Sequence, residues 1–357
     1  MAKIKIGDKY IGNGEPPYFI ADIAANHDGE LTRALKLIEL AKEAGANAAK
    51  FQNFQAPKLV SKVGFEAMSG LLSHQKNWKK SVYETYMEAS IPFEWTKILK
   101  NKCDEVGIDY FTSPYDKELI DIVDPYVEIF KIGSGDITWL EIIEYMASKG
   151  KPIILATGAS TMSDVERAMD LLMSYTKDIV LMQCNTNYTA QPENFRHINL
   201  NVLRTYSEKY PNAILGLSDH TPTLSTVLGA VVLGAKVFEK HFTDNNRRNG
   251  PDHKFAVTPD MWREMVDRAN EVYLSLGDGV KKIESNENES AIIQRRGLRY
   301  VKDMGQGHVL RKEDLIPLRP IMADGIPPYE IGKLLGRKLK KAVKSDESAK
   351  WEEMEEC

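Results

Sequence analysis

Two histidines stand at the ends of two short apolar runs of the sequence. His220 closes the run Leu-Gly-Leu-Ser-Asp-His, and His241 closes the run Val-Phe-Glu-Lys-His. If the runs are neighbouring parallel strands, both imidazoles lie at the carboxyl end of one sheet, where alternating α/β folds hold their active sites. Such a pair, with acids and lysines on other strand ends, indicates a divalent metal and an anionic substrate.

Charged side chains also fall on strand faces where packing alone would favour apolar ones. Because side chains alternate along a strand, Glu239 shares a face with His241, and Lys50 shares a face with Gln52. Charged groups inside a barrel are costly to desolvate unless they meet partners. A lone histidine at a strand end is more often structural, but two of them with neighbouring acids favour a metal-binding or catalytic centre.

A glycine-rich turn follows Lys131 in the run Phe-Lys-Ile-Gly-Ser-Gly-Asp. Small residues let backbone N–H groups close on an anion, and the lysine adds a point charge, so the run suits a phosphate group. The structural alternative is a turn before a helix that Asp136 caps. The two interpretations are compatible.

Strand and helix patterns alternate from Phe19 onward, and they require a fold that brings many strand ends together. About eight strand patterns, most of them followed by a helix, lie within about 250 residues, the usual size of a (β/α)₈ barrel. An open doubly wound sheet would alternate similarly. However, the glycine fingerprint for dinucleotides is absent after the first strand, where the chain reads Ala-Ala-Asn-His-Asp-Gly. The sequence therefore predicts an α/β fold of the TIM-barrel type.

The chain changes character after the last predicted barrel helix. A polar, charged stretch predicts a linker, and short β-type pieces between Gly, Pro and acidic turns predict a small β-rich domain. We expect a barrel domain with an N-terminal β-hairpin at residues 1–280, a linker at 281–295 and the small domain at 296–357. A domain of that size is expected to lean on another surface.

The composition is that of a globular protein, and it argues against several functional classes. The 357 residues carry a net charge of −4, without the concentrated basic surface that nucleic-acid binding requires. There is no apolar run of about 18 residues and no signal-peptide pattern, so we expect no membrane association. The three cysteines show no CxxC spacing, and reduced thiols in a cytoplasmic protein explain them most simply.

Taken in order, a series of motifs resembles the sialic acid synthase (N-acetylneuraminate synthase) family. No single motif is specific, but the ordered series is. The tail from Arg295 also resembles the antifreeze-like (SAF) domain found in that family. The motifs are Ala21–Gly29, Lys50–Gln52, Lys131–Ser134, Gly216–Thr221, Glu239–Phe242 and Gly250–His253.

The resemblance implies condensation of phosphoenolpyruvate with an N-acyl-mannosamine-type aldose, which yields a nonulosonic acid and phosphate. N-acetylneuraminate synthase is the first expectation. The alternative is a legionaminic or pseudaminic acid synthase that acts on a 2,4-diacetamido-2,4,6-trideoxyhexose. The resemblance further implies a divalent metal, Mn²⁺ or Mg²⁺, and a domain-swapped homodimer in which each small domain caps the barrel of the other chain.

The same resemblance implies roles for individual residues. His220 and His241 would be the metal ligands, and the catalytic candidates are Asp22, Glu239 and Lys131, with Glu239 as the base for water. The residues implied to hold phosphoenolpyruvate are Lys50, Thr112, Lys131, Ser134, Asn187 and Ser218. Those implied to hold the sugar are Gln52, Asn77, Tyr188, Asp252 and, from the partner subunit's small domain, Arg319.

Two departures from the family pattern leave roles open. Asp22 stands where the family has Glu, so its carboxylate lies one methylene further back. Thr186 occupies the usual Asn position, flanked by Asn185 and Asn187, which leaves open which amide contacts the substrate.

Two other functions compete with this one. The first is a Schiff-base aldolase that uses Lys131. The second is a non-catalytic sugar-binding protein, although such a protein has no use for a phosphate site. The long segment Ser61–Trp78 is either an apolar wall of the acceptor pocket or a flap over the core.

Overall fold

The computed structural model describes residues 2–68, 75 and 78–355. The chain forms two compact units, Met1–Leu276 and Gly277–Cys357. Strands are numbered here in chain order over both units: β1 Lys3–Ile6, β2 Lys9–Gly12, β3 Tyr18–Asp22, β4 Ala48–Asn53, β5 Asp109–Pro114, β6 Phe130–Ile132, β7 Ile153–Ala156, β8 Ile179–Cys184, β9 Ile214–Asp219, β10 Val237–His241, β11 Gly297–Tyr300 and β12 Leu315–Leu318.

The helices follow the same chain order. Within the described residues none of them is both long and apolar enough to cross a membrane. They are α1 Leu31–Glu43, α2 Ala56–Leu59, α3 Lys62–Ala67, α4 Val82–Ala89, α5 Trp95–Val106, α6 Lys117–Val123, α7 Leu140–Ala147, α8 Met162–Tyr175, α9 Val202–Lys209, α10 Ser225–Val232, α11 Pro259–Ser275 and α12 Asn288–Ile293.

The first unit is an eight-stranded, nearly closed parallel barrel. Its strands follow the order β5-β4-β3-β10-β9-β8-β7-β6, so the first barrel strand, β3, pairs with the last, β10. This arrangement confirms the predicted TIM-barrel fold. The helices alternate with the strands and cover them, and α1 shows why: it buries Ala34, Leu37, Ile38 and Ala41 at helical spacing.

The barrel strands bury both faces, as strands covered by helices must. One face packs against the helices, and the other fills the barrel interior together with the hairpin β1–β2. The interior cluster ties the hairpin to the amino-terminal end of the barrel. It includes Ile4, Ile6, Ile11, Tyr18, Ile20, Ala48, Phe111, Ile154, Val180, Met182, Ile214 and Val237. The opposite, carboxyl end is therefore the one left for a site.

The second unit has its own buried core and an antiparallel pair, β11 with β12. The buried hydroxyl of Tyr300 donates to Glu353 Oε2 at 2.8 Å, and Asp314 Oδ2 lies 2.8 Å from His308 Nε2. These contacts satisfy polar groups that the small core would otherwise bury unpaired.

Candidate active site

A cavity of about 430 Å³ opens at the carboxyl ends of the barrel strands. Strand register explains which side chains meet there. His241 is level with Asp22, which is level with Lys50, and Glu239 is level with Ser218. Side chains at one level of a parallel barrel share a face, so all of these point inward. The sequence-predicted residues that line the cavity are Asp22, Lys50, Gln52, Lys131, Ser134, Tyr188, Ser218, His220, Glu239, His241 and Asp252.

Two acids and two lysines form a buried network at the floor of the cavity. Lys50 Nζ donates to Asp22 Oδ2 at 2.6 Å and lies 3.8 Å from Glu239 Oε2. Lys131 Nζ donates to Glu239 Oε1 at 3.2 Å, and the Ser218 hydroxyl donates to the same oxygen at 3.1 Å. Equal numbers of opposite charges make the burial of all four groups tolerable.

The network shifts the pKa values of its two carboxyl groups in opposite directions. Burial alone would raise the pKa of Glu239, but the ammonium groups of Lys131 and Lys50 outweigh it and hold the pKa at about 2. Burial raises the pKa of Asp22 despite the opposing effect of Lys50, and the negative charge of Glu239 adds to the rise. The two carboxyl groups are therefore chemically distinct.

The two histidines lie side by side, as the strand pattern predicts, with ring centroids 5.4 Å apart. Burial lowers the pKa of His220 to about 4, with a contribution from His241. Burial also lowers the pKa of His241 to about 3, helped by the positive charge of Lys50. Both imidazoles are therefore neutral near pH 7, the form that binds metals.

Contacts around the rings indicate which ring nitrogens face the cavity. His220 Nδ1 lies 2.8 Å from the carbonyl oxygen of Asn185, which fixes the ring and leaves Nε2 for a ligand. His241 Nε2 lies 3.7 Å from Asp22 Oδ2, and His241 Nδ1 is buried without a hydrogen-bond partner among the residues that the structure describes. Phe255 packs against His241 with ring centroids 4.8 Å apart.

This pair fits a divalent cation in part. Across residues 2–68, 75 and 78–355, no group of three or more His, Cys, Asp or Glu side chains is placed to hold a metal ion. The neutral imidazole pair and the orphaned nitrogen of His241 nevertheless suit a cation that takes its remaining ligands from substrate or water. Such a site stays open toward the cavity.

The turn after β6 forms one wall of the cavity. Ser134 begins a short 3₁₀ helix that ends at Asp136, and its hydroxyl accepts a hydrogen bond from the Gly158 N–H at 2.9 Å. Burial raises the pKa of Asp136 to about 6. Gly158 belongs to the neighbouring turn after β7, and a Cβ at this position would lie 2.4 Å from Thr186 Cγ2 and 3.0 Å from Ser134 Oγ, so that turn requires glycine.

Thr112 is placed differently from the expectation that it holds phosphoenolpyruvate. Its hydroxyl faces the helix layer, where it donates to the carbonyl oxygen of Phe51 at 3.1 Å and contacts Asn53 Oδ1 at 2.5 Å. The next residue, Ser113, lines the cavity instead. Ser113 is level with Gln52, which points inward, whereas Thr112 is level with the outward-facing Phe51.

Asn187 also lies away from the cavity lining. Its side-chain oxygen accepts from the Thr189 N–H at 3.0 Å and from Asn194 Nδ2 at 3.1 Å, so it organises the loop after β8. Asn185 contributes to the site through its backbone, because its carbonyl oxygen holds the His220 ring. Its side-chain Nδ2 donates to the backbone carbonyl oxygen of His197.

The outer part of the cavity is largely apolar and comes from the segment between β4 and α5. Phe54 packs at a tilt against Tyr86 and edge-on against Tyr115, with ring centroids 5.4 and 6.0 Å apart. Of the segment Ser61–Trp78, for which the sequence left an apolar wall and a core flap open, Phe65, Gln75 and Trp78 line the cavity, and Asn77 lies outside the described residues. The apolar and aromatic side chains of this outer wall are Phe54, Leu59, Val60, Phe65, Trp78, Tyr86 and Ala89.

Two further sugar-binding candidates differ in their placement. Asp252 lines the cavity, accepts a hydrogen bond from the Ala25 N–H at 3.1 Å, and has its pKa raised to about 6 by burial. Arg319 belongs to the second unit, where its side chain is exposed.

A family model described as the NeuB family matches residues 37–281, and one described as the SAF domain matches residues 295–355. An uncharacterized protein of Methanocaldococcus jannaschii is 32% identical over 99% of this chain and 99% of its own length. An N,N'-diacetyllegionaminic acid synthase of Legionella pneumophila is 32% identical over 98% of both chains. The solved structure of an N-acetylneuraminic acid synthetase from Leptospira borgpetersenii, in complex with citrate, is 27% identical, with a TM-score of 0.70 over 81% of this chain and 96% of its own.

Proposed function

The chain belongs to the NeuB family, and we propose that it condenses phosphoenolpyruvate with an N-acylated mannosamine-type aldose to give a nonulosonic acid and phosphate. The observation that carries this proposal is the cavity, in which two buried lysines and several hydroxyl groups lie beside a pair of neutral imidazoles. Phosphoenolpyruvate carries its charge on a carboxylate and a phosphate, and both need charge-assisted hydrogen bonds to leave water.

The reaction consumes one water molecule: it forms a C–C bond and a new C–O bond at C2, and it breaks the C–O bond that joins C2 to the phosphate. The enol carbon C3 of phosphoenolpyruvate attacks the aldehyde carbon, and the sugar oxygen takes up a proton. Water then adds to C2, and the bond between C2 and the bridging oxygen breaks as phosphate leaves. Lys50, Lys131, Ser134 and Ser218 would hold the two anionic groups through both stages.

Glu239 is the proposed base that takes the proton from the attacking water. Its Oε1 is occupied by Lys131 and Ser218, but within the described part of the chain its Oε2 is buried without a hydrogen-bond partner. A divalent metal, Mn²⁺ or Mg²⁺, held by His220 and His241, would supply a Lewis acid for the aldehyde oxygen.

The Schiff-base alternative is disfavoured by the contact that Lys131 makes. Its Nζ donates to Glu239 at 3.2 Å within a buried ion pair. Attack of this nitrogen on a carbonyl would have to break that contact, which a role in holding an anionic substrate does not require.

Among acceptors, the outer wall favours a 2,4-diacetamido-2,4,6-trideoxyhexose over N-acetylmannosamine. The deoxy sugar replaces a C6 hydroxymethyl group with a methyl group and adds a second acetyl methyl. Side chains such as Leu59, Val60 and Phe65 can bury these methyls, at about 0.8 kcal/mol for each buried carbon. A hydroxymethyl group at the same wall would lose hydrogen bonds to water.

Phosphate release with phosphoenolpyruvate and three aldoses, assayed side by side, tests the proposal. The aldoses are N-acetylmannosamine and the 2,4-diacetamido-2,4,6-trideoxyhexose precursors of legionaminic and pseudaminic acid. We expect kcat/KM to be at least about tenfold higher for one of the deoxy sugars. Equal rates would contradict the acceptor assignment, and no phosphate release with any of the three would contradict the synthase itself.

A further inference from the structure

One buried histidine at the cavity mouth has no part in the reaction described above. His253 is fully buried and starts a short 3₁₀ helix in the segment that follows β10. Its Nε2 lies 2.8 Å from Asp28 Oδ1, and its Nδ1 lies 2.7 Å from Thr243 Oγ1. Because both ring nitrogens are engaged, His253 is neither a free metal ligand nor a free acid or base.

Asp28 makes this contact from the segment that follows β3, the strand that pairs with β10. Its carboxylate also receives Arg248 Nη2 at 2.8 Å and lies 3.1 Å from Arg33 Nε. Asp28 and Arg33 belong to the start of the barrel, whereas Arg248 and His253 belong to its last strand-following segment. The contacts therefore tie the two segments together.

Gly250 shows how closely the segment folds over the histidine ring. A Cβ at position 250 would lie 2.5 Å from His253 Cδ2 and 3.0 Å from its Nε2. The backbone thus packs directly on the imidazole, and the ring acts as the inner support of residues 243–256.

This segment carries one residue that lines the cavity and one that packs against residues of the cavity lining. Asp252 is the neighbour of His253 in the chain and lines the cavity. Phe255, two residues further on, packs against Tyr188 and His241, with ring centroids 5.2 and 4.8 Å away. The orientation of both therefore depends on where His253 is held.

We propose that Asp28, His253 and Thr243 form a clasp, defined by these three residues, that positions Asp252 for binding the acceptor sugar. The clasp lies outside the phosphoenolpyruvate-binding residues, so it acts on the acceptor and not on the enol substrate. The inference rests on the proposed function, because it takes Asp252 as an acceptor-binding group. His253 and Asp28 are positioning residues, which act through Asp252.

The test replaces His253 with Leu, which keeps the bulk of the ring and removes both hydrogen bonds. We expect the KM for the acceptor to rise about tenfold, while the KM for phosphoenolpyruvate changes less than about twofold. Thr243→Val keeps the contact between His253 and Asp28 and removes the one to Thr243, together with the longer 3.4 Å contacts of this hydroxyl to Asn245 and Asp244, and it should give a smaller rise in the same KM. His197→Leu, at an exposed histidine, is the matched control and should leave both constants unchanged.

Hydrogen exchange of residues 243–256 provides a readout that does not depend on turnover. Exchange in this segment should rise in His253→Leu, while the barrel strands stay protected. Unchanged exchange, or equal rises in both KM values, would overturn the clasp. If the wild-type protein releases no phosphate with any aldose, the proposed function fails, and the exchange result alone then decides whether the clasp exists. Should His253→Leu not fold, Thr243→Val answers the same question through the same two measurements.

Discussion

His220 and His241 show how surroundings determine the chemistry of a residue. Both rings are buried, and the ammonium group of Lys50 adds to the effect of burial on His241. The carbonyl oxygen of Asn185 fixes the orientation of His220. A ring held neutral and fixed at one nitrogen presents a lone pair at the other, which is what a cation requires.

Removing either imidazole should therefore weaken metal binding and sharply reduce turnover. For His220→Ala and His241→Ala we expect phosphate release to fall at least about a hundredfold, because the polarising charge is lost from the aldehyde oxygen. Titration of Mn²⁺ followed by electron paramagnetic resonance should show weaker binding in both variants, independently of activity.

The control for this prediction is His197→Ala, which removes an exposed ring and should change neither quantity. Treatment with a chelator should inactivate the wild-type protein, and added Mn²⁺ should restore its rate. Full activity in the chelated protein would show that the imidazole pair does not act by holding a metal ion.

Strands determine how much of this site can be predicted from sequence. Alternation along β10 places Glu239 and His241 on one face, and the pairing of β10 with β3 and β9 turns that face toward the cavity. On β5 the family resemblance points to Thr112, and strand alternation offers no check on it. The residues around it are buried on both faces of the strand, so no apolar–polar alternation reveals its direction. Only the register with β4 shows that Ser113 points inward.

Loops set a second limit on prediction. The short helices α2 and α3 carry Leu59 and Phe65 into the outer wall, but segments of four and six residues leave too weak a periodic pattern to be recognised. Asn187 likewise reads as a ligand until its hydrogen bonds to Thr189 and Asn194 are seen, because loop direction depends on contacts that sequence does not display.

The turn after β7 supports a prediction at the scale of elements. Gly158→Ala would place a methyl group 2.4 Å from Thr186 Cγ2 and 3.0 Å from Ser134 Oγ, so one of these side chains must move. Because Ser134 belongs to the proposed phosphoenolpyruvate site, we expect the KM for that substrate to rise about tenfold. Steady-state kinetics with the acceptor saturating would measure this change.

A second substitution distinguishes crowding from general damage to the fold. Thr186→Ser removes the methyl group that Gly158→Ala would meet, so the double variant should recover part of the lost affinity. Thr186→Ser alone should have little effect. Additive losses in the double variant would show that crowding against Thr186 is not the cause.

At the scale of the whole molecule, the open question is which chain completes each site. The second unit holds Arg319, whose exposed side chain is the proposed contact for the N-acyl group of the acceptor. We propose a homodimer in which the small domain of each chain serves the barrel of its partner. Closed two-fold symmetry makes both sites equivalent in such an arrangement.

Complementation between two inactive variants tests this arrangement. In a swapped dimer, a chain carrying Arg319→Ala still supplies a complete barrel, and a chain carrying His241→Ala still supplies Arg319. One of the two sites in the mixed dimer is then intact, and the other lacks both groups. Random association makes half of the dimers mixed, so activity should recover to about one quarter of the wild-type value.

If each chain completed its own site, no pairing could create an intact one, and the mixture would be no more active than the two variants measured separately. The double variant Arg319→Ala/His241→Ala, mixed with His241→Ala, serves as the control, because neither chain then offers a complete barrel.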